Sequence, residues 1–576
     1  MMLPNGILEY IFTIGIIISA IALVVGAVKE RKNIRETLGK YGFERKDFLI
    51  IIAIVLVFAF IELYFIKPTQ LLFFDDAIYQ GMALDLIHMG QAWMCNYGTP
   101  TMCFSGQVYH EPIGLSANMA LGFLLFGAKR SVAYGVEFML GVLSVFVCFF
   151  ASLLLLKSKR AAYFAALLLA LSPVLLVWAM PTNSDLAVLA YSLVAVFFMM
   201  LFIERKTIWS FSNLLFSFSL LMYMKVDEVF FIPIFLLFYI LLDDKSVRKA
   251  IGNGFRTIRK NFLNTKLLII LLFFVFAIAP SVLYSYNESR TDSYGYTGTT
   301  IQNTCTRNLA PVSVTGSINL QNFNANICAN VVFWFNQYKS TYIMQPILFT
   351  ALAIVGLAIM LMHKRHRREA IAVGIWFLVF FLLYAAFYAG SVIYGVDWRF
   401  QLSMIAQACI LGGFCLGFIL GEGENWLKKR FKNNYRSLSL VVLAVMLVIV
   451  FYPIYAMMPL LAVNPSAVVQ AGDARFYEGF VYNNSALIPP GCIVYTYDPT
   501  LFNMNNRTAT QIDNLYNTTQ VNQYRSTYQC LVLDYGYWCH TPNNECAYVN
   551  KTYNLTPIVT ATYKQFNYNY GFYTVK

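Results

Sequence analysis

Charge is what this chain has least of. Only 12% of its 576 residues are Asp, Glu, Lys or Arg, while 59% are hydrophobic and mean hydropathy is +0.59. Soluble domains carry about a quarter charged residues, so a soluble protein is excluded and a polytopic membrane protein is expected. A basic segment ahead of the first apolar run is also missing, and charge flanks that run on its far side. A cleaved secretory signal is therefore not expected. No inverted repeat is visible, although transporters with a midplane site commonly carry one.

What is abundant is long apolar sequence. Twelve spans are read at Tyr10 to Val28, Phe48 to Ile66, Val132 to Leu156, Ala161 to Trp178, Leu186 to Ile203, Ile208 to Met224, Val226 to Leu242, Leu267 to Tyr286, Ile343 to Met362, Ala370 to Val392, Phe400 to Leu420 and Leu438 to Leu460. Leu115 to Phe126 is too short to span and reads as an interfacial or re-entrant helix. With the N-terminus outside, the loops at 29–47, 157–160, 204–206, 243–266, 363–369 and 421–436 face the cytoplasm. They hold 28 of the 42 Lys and Arg but 10 of the 29 Asp and Glu, a net of +18 against −5 elsewhere. Every loop then satisfies the positive-inside rule. Topology thus accounts for the overall +13, the basic loops read as topological signals and anionic-lipid contacts, and no nucleic-acid partner is expected.

Two further features agree with that sidedness. All six N-x-S/T sequons, starting at Asn287, Asn483, Asn506, Asn517, Asn550 and Asn554, fall on outside segments. So do eight of the eleven cysteines: Cys95 and Cys103, Cys305 and Cys328, and Cys492, Cys530, Cys539 and Cys546. Even numbers within each segment suggest local disulfides, with three connectivities open among the last four. Cys148, Cys409 and Cys415 lie in spans and read as packing residues.

The chain divides into an N-terminal span with its basic loop (1–47), a transmembrane region (48–460) with outer loops at 67–130 and 287–342, and a soluble extracytoplasmic region (461–576). The last has six acidic and six basic residues. Its runs CIVYTYDP and TPIVTATYKQF predict strands, PSAVVQAGDARFYEGFVYNN predicts a helix, and a small mixed α/β domain packed on the outer face is expected. The segment from Asn287 to Thr341 reads as either a functional lid or an insertion.

Candidate chemistry collects where spans emerge on the outer face. FFDDAIYQGMALDL (73–86) sets Asp75 and Asp76 at the lipid–water boundary. Either they cap a helix running through Ala77 to Met89, or they bind a cation or take a proton. His110 and Glu111 follow in QVYHEPIG. Asp185 lies in MPTNSDLA, Lys225, Asp227 and Glu228 in MYMKVDEVF, and Asp397 and Arg399 in YGVDWRFQL. A charge at a helix centre costs roughly 2.5–3.5 kcal/mol, less at the ends, so clustering at one interface argues for function. The alternative is that Lys225 pairs with Asp227, or Asp397 with Arg399, to satisfy helix ends.

In order along the chain, DDAIYQGMALDL, YHEPIGLSANMALGFLLFG, YGVDWRFQL and YTYDPTLF with NNRTATQ resemble elements of the GT-C fold. Within it the chain is similar to the protein O-mannosyltransferase and aminoarabinose transferase group, archaeal members included. The chain departs from that pattern in having Asp76 where Glu is frequent, Glu111 where Pro is frequent, Phe400 in place of Tyr after Arg399, and no Arg ahead of Asp185. The resemblance implies an α-helical polytopic fold and an inverting transfer of a sugar from a polyprenyl-phosphate donor to a protein or glycolipid acceptor. The site would face outward from the plasma membrane.

Such a reaction needs a base for the acceptor and cations for the departing phosphate. Asp75 is the candidate base or acceptor-positioning residue, and Asp76 supports it or ligates a divalent ion such as Mg or Mn. Arg399 and Lys225 are candidates for the phosphate, Arg399 first because a guanidinium can engage it bidentately. His110, Glu111, Asp185, Asp227 and Glu228 are candidate acceptor or sugar contacts. Two alternatives are an oligosaccharyltransferase of the same fold, whose WWDYG element LDYGYW (533–538) partly resembles, and a lipid-linked glycan flippase or transporter.

Overall fold

The computed structural model describes residues 5–66, 73–90, 113–242, 265–291, 299–302, 309–312, 327, 331, 334–335, 345–386, 396–431, 434–463, 471–540, 545–564 and 567–576. His110, Glu111, Cys95, Cys103, Cys305, Cys328 and most of the 287–342 loop lie outside the described residues, as do the side chains of Asp75, Asp227 and Asp397.

The helices are α1 (Asn5–Lys40), α2 (Arg45–Phe60) with a π-helical turn at Ile61–Ile66, α3 (Phe73–Met89), α4 (Gly114–Phe126), α5 (Arg130–Leu156), α6 (Lys159–Ala170), α7 (Pro173–Trp178), α8 (Ser184–Arg205) and α9 (Ile208–Met224). They continue as α10 (Phe231–Leu242), α11 (Thr265–Thr291), α12 (Ile347–Met362), α13 (Arg367–Ala386), α14 (Leu402–Arg430) and α15 (Tyr435–Val463). Among the described residues, six helices are long and apolar enough to cross a membrane, and five shorter apolar helices accompany them. Twelve spans are read from the sequence, and six such helices are counted among the described residues.

One shortfall has a local cause. The expected span Ala161 to Trp178 is broken between α6 and α7, because Pro173 has no N–H and its ring disfavours a helical residue before it. Pro173 instead opens α7 at a position where a missing N–H costs nothing. From Ala161 to Trp178 every residue but Tyr163 is buried, so this broken helix forms the centre of the bundle.

Around it, α14 packs on α6 and α12, and α8 packs on α5 and α9. The approach of α14 to α6 depends on glycine: a Cβ at Gly413 or Gly417 would lie 2.4 or 2.7 Å from the backbone of Ala165 or Ala161. On the bundle's outside, Leu49 and Leu56 of α2 and Leu440 and Val448 of α15 are exposed apolar residues, as a lipid-facing surface requires.

The C-terminal residues form a separate apolar core around a five-stranded mixed sheet of order β4-β3-β5-β7-β6. With a short β1–β2 hairpin (Thr299–Gln302, Leu309–Val312) ahead, its strands are β3 (Cys492–Thr496), β4 (Ala509–Gln511), β5 (Cys530–Tyr535), β6 (Leu555–Tyr563) and β7 (Tyr568–Val575). Strand β3 runs parallel to β4 and β5, and β7 pairs antiparallel with β5 and β6. The predicted helix appears as α16 (Ala471–Asn484). The open cysteine connectivity resolves to Cys492–Cys530, joining directly paired residues of β3 and β5, and Cys539–Cys546. Cys148, Cys409 and Cys415 are free and buried.

Candidate active site

Helix α3 begins at Phe73, so Asp75 and Asp76 lie within its first turn rather than at its cap. The capping reading is thereby corrected. Asp76 is fully buried and its Oδ1 accepts from Thr182 Oγ1 at 2.6 Å. Three more bonds fix the helix. Gln80 donates to Thr182 Oγ1 at 3.2 Å, Tyr79 donates to Ser184 Oγ at 3.1 Å, and the Ala77 carbonyl accepts from Thr500 Oγ1 at 2.9 Å.

Thr182 belongs to the corner between α7 and α8. Here Asn183 caps α8 by accepting from the Leu186 N–H at 3.0 Å, while its amide donates back to the Trp178 and Pro181 carbonyls. The Asn183 N–H itself donates to Glu137 Oε1 of α5 at 2.9 Å. Glu137 is fully buried, and its Oε2 has no hydrogen-bond partner among the described residues.

Two residues further on, Asp185 occupies the first turn of α8, where the helix dipole favours a carboxylate. Its Oδ1 accepts from Lys225 Nζ at 2.9 Å, and its Oδ2 lies 3.3 Å from Arg399 Nε. Lys225 and Arg399 thus share Asp185, while the ion pairs anticipated from sequence proximity, Lys225 with Asp227 and Arg399 with Asp397, involve side chains outside the described residues. Lys225 comes from the extended residue that ends α9, and Arg399 from the single 3₁₀ turn Val396–Gln401 ahead of α14. Aromatic rings back the cations: Lys225 Nζ is 4.5 Å and Arg399 Cζ 5.2 Å from the Phe400 ring centre, and Phe400 stacks on Tyr384. Lys225 and Asp185 are buried, whereas the Arg399 side chain keeps 16% exposure. Glu228 is buried one turn past Lys225.

Close packing adjoins the cluster. A Cβ on Gly114, the first residue of α4, would sit 2.4 Å from the Tyr223 carbonyl, so only glycine lets α4 press against the end of α9.

Arg130, the first residue of α5, is fully buried. Its Nε donates to Gln80 Oε1 at 3.0 Å, its Nη2 to Asp498 Oδ2 at 2.6 Å and its Nη1 to Glu478 Oε1 at 3.4 Å. It thus joins α3 to the C-terminal sheet unit.

The structure brings Asp76, Asp185, Lys225 and Arg399 onto elements meeting at one corner. Sequence reasoning missed Glu137, Arg130 and Thr182. Glu137 could have been found as the one carboxylate inside the otherwise apolar run from Val132 to Leu156. Thr182 carries no such signal. Among the described residues, no group of three or more His, Cys, Asp or Glu side chains could hold a metal ion. Asp76, the candidate ligand for a divalent ion, accepts from Thr182 through Oδ1, and the Asp75 side chain beside it lies outside the described residues.

Known proteins supply an independent comparison. The family model described as dolichyl-phosphate-mannose-protein mannosyltransferase matches residues 110–280. Among solved structures, ArnT from Cupriavidus metallidurans in the apo state is similar at a TM-score of 0.53 and 13% identity, covering 92% of this chain and 97% of that one. The archaeal oligosaccharyltransferase AglB from Archaeoglobus fulgidus, solved with an inhibitory peptide and a dolichol-phosphate, is similar at 0.50 and 12%, covering 85% and 69%. No curated protein matches the sequence. The chain has the fold of the GT-C membrane glycosyltransferases.

Proposed function

We propose that the protein moves a sugar from a polyprenyl-phosphate donor to a protein or glycolipid acceptor on the outer face of the plasma membrane. The observation that carries this reading is that Asp185 gathers Lys225 and Arg399 onto the same corner that holds Asp76 through Thr182. Two cations would face the donor phosphate while the α3 carboxylates face the acceptor. The dolichol-phosphate in the AglB structure and the matched family model support a lipid-phosphate donor.

In the proposed step an acceptor hydroxyl loses its proton to Asp75 as its oxygen attacks the anomeric carbon. The bond from that carbon to the phosphate oxygen breaks, and polyprenyl phosphate departs with its electron pair. Arg399 and Lys225 stabilise the charge that develops on the phosphate, in a site kept dry by Phe400 and Tyr384. Asp76 orients α3 against Thr182. His110, Glu111, Asp227 and Glu228 remain proposed acceptor or sugar contacts.

The oligosaccharyltransferase alternative gains nothing from LDYGYW. Asp534 is fully buried in β5, accepting from Tyr477 and Thr496, and serves the core of the sheet unit.

The test is transfer of radiolabelled hexose from polyprenyl phosphate by the purified protein and by Asp75→Asn, with and without chelator. Transfer that vanishes in a folded Asp75→Asn supports the reading. No release from any lipid-linked donor, or an unaffected variant, would overturn it in favour of a transporter.

A further inference from the structure

Helix α14 leaves the Arg399 site at Leu402 and runs to Arg430. At about 1.5 Å per residue, its stretch from Phe414 to Lys428 lies roughly 18–39 Å away from that site. There the structure holds a cavity of about 500 Å³. Its size falls in the range of roughly 300–1,000 Å³ typical of small-molecule sites.

Glycine spacing opens it. Gly417 still touches α6, but at Gly421 a Cβ would meet only Arg160 Nη1, at 3.6 Å, so the two helices have parted by then. The turn His363–His366 between α12 and α13 closes one side and Tyr435 of α15 another.

The lining is biased towards cations. Arg160 is neutralised by Glu424. Arg365 and Lys428 have no carboxylate partner among the described residues, and Lys428 rests 6.0 Å from the Tyr435 ring centre. His366 packs its ring on Phe414 and leaves Nδ1 buried without a hydrogen-bond partner among the described residues. Burial, then the Arg365 charge, hold the His366 imidazole below its ordinary value. Among the described residues, Glu422 is the one remaining carboxylate of the wall. Exposed Arg and Lys without a carboxylate partner among the described residues, around a cavity with an aromatic floor, suit a phosphate group: the guanidinium offers a planar fork, the ammonium a point charge.

We propose that this cavity is a second ligand site, distinct from the transfer site, which takes a phosphate-bearing anion through Arg365, Lys428 and His366. Two sources present the same chemistry, the headgroup of an anionic phospholipid and a soluble phosphate ester. The sequence reading places this end of the bundle at the cytoplasmic surface, where both are at hand.

The experiment uses the full-length protein in phosphatidylcholine nanodiscs. The probes are phosphatidylglycerol added to the disc and glycerol 1-phosphate added to the buffer. Retained adducts are counted by native mass spectrometry. The comparison set is wild type, Arg365→Gln with Lys428→Gln, and Gly421→Leu, which fills the cavity without changing charge. At least a tenfold loss of adducts is expected in both variants. Retention of phosphatidylglycerol alone assigns the lipid source, and retention of glycerol 1-phosphate as well assigns the phosphate itself. Wild-type retention in Gly421→Leu, or no retention of either probe by wild type, overturns the proposal. Unfolding midpoints in phosphatidylcholine alone report whether each variant is folded, and Gly421→Ala supplies a milder filling where Leu is not accommodated.

Discussion

Arg130 Nη2 lies 2.6 Å from Asp498 Oδ2, both side chains have no exposure, and 368 residues separate them. This buried pair joins the start of α5 to the C-terminal sheet unit, with Glu478 accepting from both Arg130 and Tyr134. Removing one partner strands a buried charge, at a cost of about 3–5 kcal/mol, whereas removing both is much milder. Asp498→Ala or Arg130→Met should each lower the unfolding midpoint strongly. The double variant should recover part of the loss. Differential scanning fluorimetry of the four proteins closes the cycle, and strict additivity would deny the coupling.

Asp185 touches both cations, so its loss should unsettle both. Asp185→Asn should reduce kcat/KM for a lipid-phosphate sugar by about 100-fold or more, comparable to loss of a transition-state donor. Arg399→Lys keeps the charge but not the fork and should lower kcat, because the fork would meet charge that develops only in the transition state. Steady-state kinetics at saturating acceptor measure both variants, and a raised donor KM with kcat unchanged would argue against a transition-state role for Arg399.

Thr182→Val removes the hydroxyl that meets Asp76 while keeping the shape of the side chain. A drop of about tenfold or more in kcat is expected together with a lowered unfolding midpoint, because buried Asp76 loses an orienting hydrogen bond and buried Gln80 loses its acceptor. Thr182→Ser should restore activity, since the hydroxyl returns.

The sheet unit should respond to pH through Asp534. Burial pushes its carboxyl up from 3.8 to about 7, against the opposing hydrogen bonds from Tyr477 and Thr496. Both of those bonds fall on Oδ2, while Oδ1 is buried without a partner among the described residues. The folded state therefore holds the proton more tightly than the unfolded chain. The resulting stability is full below pH 4 and is lost as pH rises through about 7. Unfolding midpoints measured from pH 4 to 8 should decline for wild type relative to Asp534→Asn. Parallel profiles would contradict the assignment.

Of the two disulfides, Cys492–Cys530 encloses 38 residues of separation and Cys539–Cys546 only 7. Chain entropy then assigns about 4 kcal/mol to the first and about 2.5 kcal/mol to the second. Paired Cys→Ser variants, compared by urea unfolding with β-strand circular dichroism as the readout, should follow that order.

Sequence reading succeeded where the signal is local. The run Ile208 to Met224 is α9 residue for residue, because apolar length bounded by Thr207 and Lys225 leaves a helix no other extent. The strands at 492–496 and 555–563 were visible in their β-branched and aromatic content. The candidate site was legible as a set of residues but not as a set of partners. Asp185, which meets both Lys225 and Arg399, sits on another helix altogether, and sequence proximity offers no sign of that meeting. Arg130 was missed. Its burial follows from the position of Asp498 and Glu478, which no local pattern encodes.

The bonds that hold α3 also set a timetable for the chain. Asp76 meets Thr182 about a hundred residues after it is synthesised, and the helix that carries it is clasped by Thr500 and, through Arg130, by Glu478 and Asp498, some four hundred residues later. A ribosome-bound or truncated chain lacking those late residues has its acidic helix only half gripped. The grip on this helix is thus completed only once residues 478–500 have been made.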